Sequence, residues 1–137
     1  MEVARSLNPL RIMPKRNPLK SAEAALRKTA LAYPQATEDF PWGHRAFKVK
    51  KKMFLILSFD KDIFNVTMKL PVTGRQALAL PFAEPTGYGL GKSGWVTASF
   101  GPKDTVPVEL LEEWMDESYR AIAPKKLVQE LKALAED

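Results

Sequence analysis

The stretch AFKVKKKMFLILSFDKDIFNVTMKL, running from Ala46 to Leu70, decides the fold. Three apolar segments, Ala46 to Val49, Met53 to Phe59 and Ile63 to Leu70, are separated by Lys50-Lys51-Lys52 and by Asp60-Lys61-Asp62. Short apolar and aromatic runs broken by compact polar clusters read as strands joined in two consecutive antiparallel hairpins. In the third segment Phe64, Val66, Met68 and Leu70 fall on one side, with Asn65, Thr67 and Lys69 on the other. That alternation belongs to a sheet with one packed and one solvated face. Met53-Phe54-Leu55-Ile56-Leu57 is the longest apolar run in the chain. It has strand length, far below the ~18 residues of a membrane span.

On the N-terminal side, Ala22, Leu26, Ala30 and Tyr33 recur at helical spacing. Asn17-Pro18 or Ser21 can start this helix by accepting its first free amides, and Pro34 ends it. On the C-terminal side, Gly74 to Leu80 reads as a short helix and Pro81 to Gly94 as a loop with two prolines and four glycines. Trp95 to Phe100 alternates again, Val96, Ala98 and Phe100 against Trp95, Thr97 and Ser99. A long helix opening at Thr105 or Pro107 carries Leu111, Met115, Ser118 and Ile122 on one face, and after Pro124 a last helix spans Leu127 to Ala135. The order α-β-β-β-α-β-α-α predicts a single α+β domain over residues 18–137, with helices packed on one face of an antiparallel sheet. Residues 1–17 hold Arg5, Arg11, Lys15 and Arg16 without a regular period and are expected to form a flexible basic arm.

Hydrophobic residues make up 45% and charged residues 27% of the 137, the balance of an ordinary globular domain. The absence of cysteine excludes disulfides, thiol nucleophiles and thiolate metal sites. The single histidine, His44, leaves no histidine-rich zinc site, and any Ser-His-Asp arrangement would have to use it. No catalytic pattern stands out, so a non-catalytic role is expected. The N-terminal residues lack the apolar stretch of a secretory signal, and a cytoplasmic monomer without a membrane partner is expected.

The net charge of +5 is uneven: residues 1–75 carry fifteen Lys/Arg against six acids, and residues 76–137 six against ten. Such asymmetry favours an acidic partner for the basic face, nucleic acid being the commonest, although solubility accounts for it equally. Arg45, Lys48, Lys50, Lys51 and Lys52 crowd one hairpin, where they can neutralise phosphates. Protection of a strand edge is the commoner use of such lysines. Trp42, His44, Tyr88 and Trp95 could stack on bases beside them, whereas packing is the commoner role of aromatics, and Pro41-Trp42-Gly43 reads as a rigid turn.

Two further patterns lead less far. Gly89-Leu90-Gly91-Lys92-Ser93-Gly94 matches G-x-G-x-x-G, and Thr86 stands where a phosphate loop ending at Ser93 would need glycine. Both motifs require a following helix, and a strand follows instead, so no nucleotide cofactor is expected; Lys92 can still touch a phosphate. Glu109, Glu112, Glu113 and Asp116 form a carboxylate stripe at helical spacing. Hard cations take carboxylates, but a solvated face near a helix start is the simpler reading.

Glu38-Asp-Phe-Pro-Trp-Gly-His44, Ala46-Phe-Lys-Val49, Lys52-Met-Phe54, Gly91-Lys-Ser-Gly-Trp-Val96 and Asp116-Glu-Ser-Tyr119 together resemble, in the same order, the MmcQ/YjbR family over roughly residues 20–127. The resemblance implies a frataxin-like (CyaY-like) twisted antiparallel sheet backed by helices, no established enzymatic activity, and the family's usual proposal of DNA binding through two hairpin "wings". It also lends the acidic stripe a likeness to the ridge by which frataxin-like proteins handle iron. The chain departs from the family at the first hairpin, where Lys50-Lys51-Lys52 replaces a turn that commonly contains glycine. The leading expectation is a weakly sequence-selective DNA-binding protein using Arg45, Lys48, Lys50, Lys51, Lys52, Lys69 and Lys92, with His44 and Trp95 beside them. A small-molecule or divalent-metal module, or a protein–protein adaptor, is the alternative.

Overall fold

The computed structural model describes residues 18–40, 43–87 and 89–136; the basic arm expected over residues 1–17, together with Pro41, Trp42 and Tyr88, lies outside the described residues. The elements in order are α1 (Pro18–Leu31), β1 (Thr37–Asp39), β2 (Arg45–Val49), β3 (Lys52–Asp60), β4 (Ile63–Lys69), α2 (Gly74–Ala77), β5 (Ala83–Pro85), a 3-10 turn (Leu90–Ser93), β6 (Trp95–Phe100), α3 (Val108–Ile122) and α4 (Lys125–Glu136). The strands form one sheet in the order β1-β2-β3-β4-β6-β5, antiparallel at every pairing. Among the described residues no helix is long and apolar enough to cross a membrane.

The α+β architecture matches the expectation, with two additions. The sequence pattern shows four strands, whereas β1 and β5 lengthen the sheet at its two edges. Neither has an apolar period to reveal it: β1 is Thr-Glu-Asp and β5 is Ala-Glu-Pro. Both exist because their backbones complete ladders on β2 and β6, and Pro85 is tolerated because an edge strand has one unpaired side.

One face of the sheet carries Phe47, Val49, Leu55, Leu57, Phe64, Val66, Met68, Val96, Ala98 and Phe100, all buried. Leu19, Ala22, Leu26 and Ala30 of α1 and Leu111, Trp114, Met115 and Tyr119 of α3 close over it. Each fully buried Leu or Phe stabilises the fold by roughly 1.5–3 kcal/mol, so this layer is the main driving force. The opposite face is polar and mostly half-buried: Thr97 Oγ1 lies 2.9 Å from both Thr67 Oγ1 and Thr86 Oγ1, and Ser99 donates to Asn65 at 2.6 Å.

Strict alternation breaks once, and the break matters. Phe47 pairs with Leu55 but Lys48 pairs with Met53, so Phe54 and Leu55 together oppose one residue of β2 in a β-bulge. Both side chains are therefore buried, Phe54 in a ring cluster with Tyr33 and Tyr119. At the bulge the Phe54 carbonyl accepts from the fully buried Ser118 hydroxyl at 2.6 Å. The Ser118 hydroxyl oxygen in turn accepts from the Lys69 amide at 2.9 Å, tying β3 and β4 to α3. The Tyr119 hydroxyl donates to the Pro34 carbonyl at 2.7 Å, locking the exit of α1.

Candidate nucleic-acid interface

β2 and β3 are joined by only two residues, Lys50 and Lys51, with φ of 50° and 69°. Two consecutive positive φ values are the backbone of the tightest hairpin turn, which ordinarily uses Asn-Gly because residues with a Cβ are disfavoured there. Lys50, Lys51 and Lys52 are exposed and make no ion pair with any described residue. Lys52 lies three residues beyond the last β3–β4 pair, so the turn projects about 10 Å past the body of the sheet.

The antiparallel register brings distant residues to this same end. β4 finishes at Lys69, directly opposite Trp95 at the start of β6, and Lys92 precedes Trp95 in the 3-10 turn. Arg75 arrives on α2, which begins just after β4. From β2 to β6 is three strand spacings, about 14 Å, and across that width stand the three tip lysines, Lys69, Arg75 and Lys92. Glu117 reaches the same end, but its carboxylate is taken up by Val72 N–H at 2.7 Å, Thr73 N–H at 3.0 Å and the Thr73 hydroxyl at 2.7 Å. Those contacts fix the turn that leads into α2, whose N-cap residue Thr73 makes no side-chain capping bond of its own. Exposed Met53, Val72, Leu78 and Leu90 interleave apolar surface with the cations.

Arg45, Lys48 and His44 are a different matter. Arg45 lies on the helix-covered face, where Nε meets Glu23 at 3.0 Å and Nη1 meets Glu38 at 2.9 Å. Arg27 of α1 grips the other Glu38 oxygen at 2.9 Å. The Arg27 hydrogen bond, reinforced by Arg45, holds the Glu38 carboxyl below the usual range against the opposing effect of burial. Lys48 is paired with Asp39 at 3.0 Å across β1 and β2, and that bond depresses the Asp39 carboxyl. His44 precedes β2 and so sits a whole strand, about 17 Å, from the lysine turn. The structure thus divides the sequence-predicted set: Lys50, Lys51, Lys52, Lys69, Lys92 and Trp95 share one end of the sheet, whereas Arg45 and Lys48 are committed to ion pairs and His44 lies at the other end. Arg75 was missed, because a lone arginine in a four-residue helix carries no local signal.

Two members of the acidic stripe on α3 are engaged by neighbouring side chains. Glu112 accepts from the Thr29 hydroxyl at 2.6 Å, and Asp116 accepts from the Tyr33 hydroxyl at 3.0 Å and from Arg120 at 2.7 Å. Burial, with Asp116 adding to it, raises the Tyr33 hydroxyl well above its ordinary value and keeps it a donor. Among the described residues no three His, Asp or Glu side chains converge as metal ligands. The glycines from Gly89 to Gly94 serve loop shape: Gly89 and Gly94 have φ of 78° and 90°, and a Cβ on Gly91 would come within 2.7 Å of Pro85 Cβ.

A model of the YjbR family matches residues 31–121. The chain is also similar to the crystal structure of Deinococcus radiodurans protein DR2400, described by the family-model domain DUF419, at 34% identity with a TM-score of 0.54 over 69% of this chain and 72% of that one. No curated protein matches. The matched region contains the lysine hairpin, the Lys69–Trp95 pair and the Ser118 link, and the chain belongs to the YjbR family.

Proposed function

We propose that this protein is a non-catalytic DNA-binding protein of weak sequence selectivity, contacting phosphates through Lys50, Lys51 and Lys52 with Lys69, Arg75 and Lys92 in support. The observation that carries this reading is the lysine turn. Two consecutive lysines occupy positive-φ backbone at an exposed hairpin tip, where Asn-Gly would form the same turn with less strain. Solubility alone asks for no such placement, since exposed charge anywhere supplies it. The contacts available are to backbone phosphates, which orient a nucleic acid without reading its sequence.

The test is fluorescence anisotropy of labelled DNA with the purified chain between about 50 and 200 mM salt. Saturable binding is expected, with log affinity falling linearly against log salt. Replacing Lys50, Lys51 and Lys52 by Gln should weaken binding to every sequence alike and lower the salt slope by about 3. Absence of saturable binding at the lowest salt overturns the reading.

A further inference from the structure

Between α2, the 3-10 turn and the start of β6 lies a cavity of about 260 Å³, walled by Leu70, Leu78 and Trp95 and flanked by Arg75 and Lys92. Among the described residues no acidic side chain lines it. Its size falls just under the ~300–1,000 Å³ of pockets for drug-sized ligands, leaving room for one ring system. Trp95 lines the cavity and is half-buried, so part of the residue stays accessible. The polypeptide around the cavity is well fixed: Leu70 N–H donates to the Gly94 carbonyl at 2.8 Å, and Thr86 N–H donates to the Trp95 carbonyl at 3.1 Å.

We propose that this cavity receives a single unpaired nucleobase against Trp95, with Arg75 and Lys92 on the adjoining phosphates. The inference rests on the reading of the lysine hairpin as a phosphate-contacting element and adds to it a preference for DNA with a single-stranded segment. A closed duplex presents its bases already stacked and paired, whereas an unpaired base can leave the strand and stack on an aromatic side chain. β2 and β6 are three strand spacings, about 14 Å, apart across the end of the sheet that carries both the hairpin and the cavity, so one strand of a few nucleotides can reach both.

The experiment compares three labelled probes with the full chain: a closed DNA hairpin, the same hairpin with a short thymidine tail, and the same hairpin with an abasic tail of equal charge. The thymidine tail is expected to raise affinity about tenfold over the abasic tail, the scale of one base stacked on an aromatic ring. Trp95→Ala should abolish that difference. Trp95→Leu keeps an apolar side chain in β6 and should abolish it as well, so loss of folding in the first variant does not decide the matter. Equal affinity for the two tails, or a thymidine preference that survives Trp95→Leu, overturns the cavity assignment while leaving the lysine hairpin standing. Failure of all three probes to bind removes both.

Discussion

The buried hydroxyl of Ser118 donates to the carbonyl of Phe54 at 2.6 Å, joining the middle of α3 to the bulge that reshapes the start of β3. Because the Ser118 hydroxyl oxygen in turn accepts from the Lys69 amide, one side chain satisfies two backbone groups at the end of the sheet that carries the lysine hairpin. Ser118→Ala is expected to remove both hydrogen bonds and to cost about 1–3 kcal/mol, read as a lowered urea midpoint at unchanged slope. A midpoint equal to that of the native chain would show that water takes over both bonds.

Replacing Lys50 by Asn and Lys51 by Gly separates stability from binding. The pair relieves two positive-φ lysines and should raise stability by about 1 kcal/mol while removing two phosphate contacts. Urea unfolding and DNA anisotropy on the same preparation should therefore move in opposite directions. Unaltered binding would take the turn out of the interface.

Arg45 offers the converse. Arg45→Gln breaks contacts to Glu23 and Glu38 between α1, β1 and β2 and should destabilise the fold by about 1–2 kcal/mol. The salt slope of DNA binding should stay where it was, since this guanidinium is already neutralised. A slope lowered by about 1 would return Arg45 to the phosphate-binding set.

The ion pairs of Glu38 set an acid limb. Its carboxyl is held below the ordinary value in the folded chain, so its contribution is fully present above the unfolded value of about 4.3 and is lost as pH falls through the depressed folded value. Unfolding free energy measured by urea from pH 7 downward should decline more gently in Glu38→Gln than in the native chain. Identical acid limbs would show that solvent screens the pairing.

Gly91→Ala places a methyl group 2.7 Å from Pro85 Cβ and 3.2 Å from the Thr86 carbonyl. The 3-10 turn and β5 must separate, at a cost of about 1–3 kcal/mol, carrying Lys92 with them. Gly87→Ala is the control, since no described atom lies within 4 Å of the added carbon and its backbone is not left-handed. Thermal unfolding of the two variants should differ by several degrees in the order stated.

How much of this was legible in the sequence follows from which signals are local. The two hairpins, the alternation of β4 and β6 and the apolar face of α3 depend on neighbours a few residues apart, and the chain writes them openly from Ala46 to Leu70 and from Trp95 to Ile122. The lysine-rich turn was equally visible as charge, although its two-residue length and its backbone conformation were not.

The rest required the third dimension. β1 and β5 have no apolar period, because an edge strand of three residues is held by ladder bonds to a strand that must already be in place. The bulge at Phe54 is a register shift between two strands, which alternation within either one does not show. Arg45 and Lys48 look in sequence like Lys50 and Lys51, yet pairing with Glu23, Glu38 and Asp39 uses their charge, and only packing of α1 and β1 brings those acids within reach. Arg75, Lys92 and Trp95 gather around one cavity because β4 and β6 run antiparallel and end together. The sequence by itself determined the α+β class, the helical and strand faces and the sign of the charge; the tertiary structure decided which charges stay free, since long-range ion pairing depends on distance in space and not along the chain.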